Sequence, residues 1–255
     1  MFRSQEGYDN LIRVMAVKDD GREELRILRF LATAPQVLLS ENHTIPLLRE
    51  IDIEDLTLGV FPRVSQPLDD VYTNWSKNSV GDVLDMILQA LEGLALIHKN
   101  RIAHRDAFKE NFVVEYFPES LRTGVVPVHK PRVYLIDFET AVQFPEDCPP
   151  AERVCTGIPF PEYVVDPKRY KRPTIPEMRN GEPYDPFKLD VWQLGNSLVD
   201  FNSTLPPVEA VIDSMAHMDP SERLTADEAL SRIRAYVESV PPRSLLIPPK
   251  VEEMP

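Results

Sequence analysis

Residues 101–114 read RIAHRDAFKENFVV. Asp106 stands five residues ahead of Asn111, and a second acidic stretch, YLIDFET, returns at 134–140. Asp and Asn side chains in a loop commonly bond their own backbone. The same residues also present the oxygen ligands that hard divalent cations favour, so the spacing raises the question of a metal site.

The run before this stretch is the clearest helix in the chain. In VGDVLDMILQALEGLALIHKN, residues 80–100, the side chains of Leu84, Ile87, Leu88, Leu91, Leu94, Ala95 and His98 share one face at i, i+3, i+4 spacing, which predicts a core helix. Downstream, FVVEY and RVYLIDF read as short strands. Ten of the 25 prolines then fall between Ala141 and Asp190. That density forbids long helices and predicts an irregular extended loop of about 40 residues, a length that is usually functional.

A helix is predicted to start near Phe187, and Thr225 with Glu228 has capping-box spacing ahead of another. Upstream, IRVMAVK (12–18) reads as a strand, and Leu25, Leu28 and Leu31 lie at helical spacing in REELRILRFLA. Two further strands are expected around IPLLREI and LTLGVFPRV, with a connector at Pro62 to Pro67. The tail from 241, PPRSLLIPPKVEEMP, is too rich in proline for a helix and is expected along the surface. No internal repeat or low-complexity tract is visible.

Bulk composition narrows the class. Apolar residues make up 43% and charged residues 27% of 255, enough for a packed core and unlike a disordered chain. The net charge of −13 disfavours nucleic acid and anionic membrane surfaces as partners. Basic peptides would be attracted, although a surplus of acid also serves solubility alone. Two cysteines, Cys148 and Cys155, build no disulfide framework and fit a reducing compartment. The start, MFRSQEGYDN, has no apolar core of a signal peptide, so cytosol or nucleus is expected.

The order MAVK, Glu24, HRDAFKEN, DFE, IPE, DVWQLG and DPSERL resembles the signature set of the eukaryotic protein kinase superfamily across nearly the whole chain. PFKLDVWQLG and SLLIPP look like kinase-like proteins of mushroom-forming fungi. The resemblance implies an α+β, two-lobed fold: a trimmed β-rich lobe over 1–64, a helical lobe over 65–240 and a tail over 241–255. ATP and Mg²⁺ would sit between the lobes, with the hinge at Phe61 to Val64 and with Ala16, Phe61, Val64 and Val113 around the nucleotide.

Other residues take roles by the same resemblance. Lys18 would meet the phosphates and Glu24 would orient it; by themselves the two read as an exposed strand-end lysine and a solvated helix charge. Asp106 would accept the proton of the acceptor hydroxyl, Lys109 would assist it, and Asn111 and Asp137 would hold the metal. His104 is expected to pack in the core, and Arg105 to ground a phosphate or carboxylate on the following loop. Glu177 and Arg223 are expected to form a buried ion pair, and Asp190 to bond the backbone of the 104–109 loop. The implied reaction is phosphoryl transfer to protein Ser or Thr hydroxyls. Thr156, Tyr163 and Thr174 are loop hydroxyls near Arg105, though exposed loop hydroxyls are common.

The pattern departs from the family in three places. Among the 17 residues before Lys18 the only glycine is Gly7, so the Gly-rich phosphate loop is expected to be missing and nucleotide grip to suffer. Phe108 stands where serine/threonine kinases carry a phosphate-contacting lysine, and Lys109 is one place further on. DFE replaces DFG, so Glu139 should narrow the conformations of that turn and add a negative charge beside Asp137. Two alternatives follow. One is a pseudokinase acting as a binding or scaffold module. The other is a small-molecule phosphotransferase of the aminoglycoside or choline kinase type, which shares an IDFE segment but lacks the long loop ending in Pro-Glu.

Overall fold

Apolar and β-branched residues near the N-terminus form a four-stranded antiparallel sheet in the computed structural model, which describes residues 2–3, 9–64, 66–74, 79–115, 131–159 and 170–251. Gly7 and Tyr163 lie outside the described residues. The strands are β1 (Phe2–Arg3), β2 (Asp9–Val17), β3 (Arg49–Ile53) and β4 (Leu56–Pro62), in spatial order β1-β2-β4-β3. Between β2 and β3 runs helix α1 (Arg22–Leu31), which buries Leu25, Leu28 and Leu31 as their spacing predicts, together with Ile27 and Glu24. Gly21 opens the helix at φ 80, and a Cβ there would come within 2.2 Å of the Met15 carbonyl oxygen.

The pairing of β2 with β4 contains an irregularity between Val14 and Ala16. One extra residue on a strand reverses which face its later side chains meet. Met15 and Ala16 are therefore both buried, while Leu11 and Arg13, opposite Phe61 and Gly59, stay on the cavity side described below.

The chain continues through β5 (Gln66–Pro67), α2 (Leu68–Asn74), α3 (Val80–Lys99), β6 (Ile102–Ala103), β7 (Phe112–Val114) and β8 (Val133–Leu135). The stretch expected as a connector thus leads directly into a helix. Ser79 and Asp82 cap α3 reciprocally, and its predicted apolar face buries Leu84, Ile87, Leu91 and Leu94. β5, β7 and β8 form a small antiparallel sheet. The proline-rich region contains short 3-10 turns at Pro150–Glu152 and Pro176–Met178 and a strand pair joining 155–156 to 183–184.

Three helices follow: α4 (Pro186–Ser197), α5 (Pro206–Met215) and α6 (Ala226–Ser239). The capping box at Thr225 and Glu228 is formed. α5 has no counterpart among the sequence expectations. At Gly195 an added Cβ would sit 2.6 Å from Met215 Cβ, so glycine lets α4 and α5 approach closely.

Most of the described tail residues are exposed, yet the tail is anchored. Leu245 is buried, and the Ile247 carbonyl accepts from Val80 N at 2.8 Å. The first N–H groups of a helix lack internal partners, and the tail supplies one to α3.

One apolar cluster runs from Met15, Leu28 and Phe61 through Leu91 and Phe138 to Leu230. A second, smaller one joins Phe108 to Ile175, Met178, Tyr184, Leu189 and Trp192, seating the 170–184 segment on α4. Among the described residues no helix is long and apolar enough to cross a membrane.

Candidate functional site

A polar stripe on α4 builds the loop at 104–109. Asp190, Gln193 and Ser197 lie at i, i+3 and i+7, hence on one face of the helix. Asp190 Oδ2 accepts from His104 N at 2.8 Å and Oδ1 from Arg105 N at 2.6 Å. Gln193 accepts from Ala107 N and donates to the Arg105 carbonyl, both at 2.8 Å. Ser197 Oγ accepts from Lys109 N at 3.0 Å. Buried backbone groups need partners, and this loop finds them on a helix more than 80 residues away. His104 packs in the core as expected, with Nε2 2.9 Å from the Ile136 carbonyl and its ring edge-on to Phe138.

The loop fixes Asp106 against Asn111. Asn111 Nδ2 donates to Asp106 Oδ2 and to the Asp106 carbonyl, each at 2.7 Å. Asp106 Oδ1 is buried and accepts no hydrogen bond. Its nearest cation is Arg172, whose Nε lies 3.4 Å away while Nη1 binds Glu110 at 3.0 Å. The pairing of Phe112 with Leu135, and the bond from Ile136 N to the Asn111 carbonyl at 2.9 Å, put Asn111 and Asp137 at adjacent strand ends.

Asp137 opens onto a cavity of about 510 Å³ whose lining includes Leu11, Arg13, Phe61, Val64, Val113, Asp137 and Glu139. Most of the wall is apolar, with a few charged side chains, the composition usual for small-molecule sites. Arg13 sits among three carboxylates: Glu24 at 2.9 Å, Asp137 at 2.8 Å and Glu139 at 3.5 Å. Burial opposes the charge on Arg13, but these three neighbours outweigh it and hold its pKa above the ordinary value. Burial pushes Glu24 up to about 7; Arg13 works against that rise, and Asp137 and Glu139 add to it.

Three expected site residues are displaced. Lys18 is exposed at the turn after β2, with φ 55, its N–H bound to Asp55 and its carbonyl accepting from Arg22. It does not meet Glu24; Arg13 does. Ala16 is buried in the main core instead of lining the cavity, and Leu11 occupies the wall in its place. Lys109 is buried, with Nζ 2.6 Å from Asp200 and 2.7 Å from Asp69, so its ammonium is committed to those two carboxylates. The sequence offered a weak signal for the first two: Leu11-Ile12-Arg13 has the same apolar-x-cation spacing as Ala16-Val17-Lys18, and only the irregularity at 14–16 decides between them.

The remaining expected residues are brought together. Phe61, Val64 and Val113 line the cavity. Glu177 and Arg223 pair at 2.7 Å with Arg223 buried. Arg105, expected to ground a phosphate or carboxylate, instead donates to the Thr140 carbonyl at 3.3 Å. At the DFE turn, the left-handed residue is Asp137 at φ 66, not Glu139, so the glycine replacement carries no backbone strain. Aspartate is among the few residues that visit this region readily.

No protein-family model matches the chain, and the search of curated proteins finds no match. Among the described residues no group of three or more His, Cys, Asp or Glu side chains is arranged to hold a metal by itself. A hard cation bound with phosphate oxygens needs only one or two protein carboxylates or amides. Asn111 fits that need, because its amide nitrogen is spent on Asp106 and its Oδ1 is left to accept a ligand; Asp137 Oδ1 pairs with Arg13 at 2.8 Å, so a cation would share that carboxylate with the guanidinium.

Proposed function

We propose that this chain is a two-lobed, protein-kinase-like phosphotransferase acting on protein Ser or Thr hydroxyls with ATP. The sheet and α1 form the smaller lobe, and the helices from α2 onward the larger. The observation that carries the reading is Asp106 Oδ1, a buried carboxylate oxygen held in place through its partner oxygen by Asn111 and accepting no hydrogen bond of its own. Such an oxygen is suited to receive a hydroxyl proton.

In the reaction the acceptor oxygen bonds to the γ-phosphorus while the bond from that phosphorus to the ADP oxygen breaks. The electron pair leaves with ADP, and the hydroxyl proton goes to Asp106 Oδ1. Arg13, oriented by Glu24, faces the phosphates. Phe61, Val64, Leu11 and Val113 exclude water around the base. Asn111 and Asp137 would hold Mg²⁺, which when bound neutralises phosphate charge.

A second reading, a pseudokinase that binds without transfer, has its own support. Arg13 already faces three carboxylates, and Lys109 is locked between two. Thermal shift with millimolar Mg·ATP tests nucleotide binding, since any ligand bound to the folded state raises Tm. Radiolabelled transfer by wild type against Asp106→Asn tests the chemistry. Equal incorporation by both would remove Asp106 from the mechanism; a Tm rise without incorporation would establish the binding-only reading.

A further inference from the structure

Phe108 and Lys109 stand where the family resemblance leads one to expect a lysine beside Asp106, and neither supplies a cation there. Lys109 is turned inward onto Asp200 and Asp69. Phe108 is buried, and its ring instead receives a cation from another segment: the Arg172 guanidinium lies 5.3 Å from the ring centroid. The same guanidinium holds Glu110 at 3.0 Å and approaches Asp106 Oδ1 at 3.4 Å and Oδ2 at 3.5 Å.

These contacts differ in kind. The Glu110 contact has the length of a charge-assisted hydrogen bond, and an arginine over an aromatic face is attracted by the ring. The Asp106 contacts are longer than such bonds and leave Oδ1 without a hydrogen bond. Arg172 is thus anchored by Glu110 and Phe108 and presents positive charge to Asp106 without using up its proton-accepting oxygen.

We infer that Arg172 is the positioning residue of Asp106, with Phe108 as its seat, and that this pair replaces the lysine that Lys109 does not supply. The inference rests on the phosphotransferase reading. Arg172 would hold Asp106 in orientation as the acceptor hydroxyl attacks the γ-phosphorus and its proton passes to Oδ1. Segment 170–184, fixed on Phe108 and Trp192 by the second apolar cluster, then carries part of the site's charge.

The test compares wild type, Arg172→Ala and Arg172→Lys in transfer from radiolabelled Mg·ATP to dephosphorylated casein or to water, with the Mg·ATP thermal shift measured in parallel. The Arg172 side chain is partly exposed, so truncation should leave the fold intact. Arg172→Ala is expected to lower kcat roughly tenfold to a hundredfold, with KM for Mg·ATP within about twofold and the thermal shift unchanged. Millimolar guanidinium should restore part of the rate, and Arg172→Lys should lie between. Unchanged kcat in Arg172→Ala, while wild type transfers phosphate, overturns this inference alone. So does a lost rate that guanidinium leaves low and that comes with a lowered Tm, which would make Arg172 merely structural. A wild type that neither binds Mg·ATP nor transfers phosphate overturns the phosphotransferase reading and this inference with it.

Discussion

Arg13 Nη2 lies 2.8 Å from Asp137 Oδ1 while Nη1 of the same guanidinium lies 2.9 Å from Glu24 Oε1. A planar fork can reach two carboxylates at once in a way that a lysine point charge cannot. Arg13→Met should therefore leave Glu24, Asp137 and Glu139 facing one another and lower stability by about 2 kcal/mol, the usual worth of hydrogen bonds to charged groups. Arg13→Lys should recover part of the loss. Urea unfolding midpoints measure both, and an unaltered midpoint in the methionine variant would show that the cluster contributes nothing to the fold.

The burial of Lys109 makes a different demand. Asp200 is almost fully buried, so Lys109→Met should cost roughly 3–5 kcal/mol by removing the ammonium that balances that charge. Combining it with Asp200→Leu should return much of the stability, because an apolar pair of similar volume carries no desolvation penalty. A solvent-facing, phosphate-contacting Lys109 would instead give a methionine variant as stable as wild type. Denaturant titration of the two variants separates the cases.

Glu24 should make stability depend on pH. Its folded pKa of about 7 lies above the ordinary carboxylate value near 4.3 of the unfolded chain, so the folded state binds more protons between them. The stabilising contribution is complete below about pH 4.3 and declines as pH rises to about 7, by up to about 4 kcal/mol. Against Glu24→Gln, the wild-type Tm should fall across that window and run parallel above it. Parallel curves throughout would mean that Glu24 titrates normally.

Gln193 serves two backbone groups of the loop, Ala107 N and the Arg105 carbonyl. Gln193→Ala leaves both buried and unpaired, at about 1–3 kcal/mol each. Hydrogen exchange at the Ala107 amide should accelerate, while the amides of His104 and Arg105, held by Asp190, should stay protected. Exchange at Ala107 equal to wild type would remove Gln193 from the support of Asp106.

The contrast between Asp106 and Arg13 shows where sequence reading succeeds. Asp106, Asn111 and Asp137 were singled out by the HRDAFKEN and DFE motifs, and β7–β8 pairing brings Asn111 and Asp137 to adjacent strand ends. The cation opposite them was not, since two apolar-x-cation triplets occupy one strand and favour different registers. Gln193 and Ser197 were hidden for another reason: a helix face carries no mark of what it will touch.

The chain's own order of residues determined the helices with clear apolar stripes, the capping boxes at Ser79 and Thr225, and the carboxylates and amide of the 104–111 loop. The helices and caps follow from interactions within a few residues along the backbone, whereas the loop also needs its partners on α4. Tertiary structure alone decided that Arg13 rather than Lys18 meets Glu24, that Lys109 is spent in the core and that Arg172 reaches Asp106. Those choices depend on one irregular strand pairing and on ion pairs between residues far apart in sequence. Their free energies exist only once the packed surfaces have excluded water around the charges.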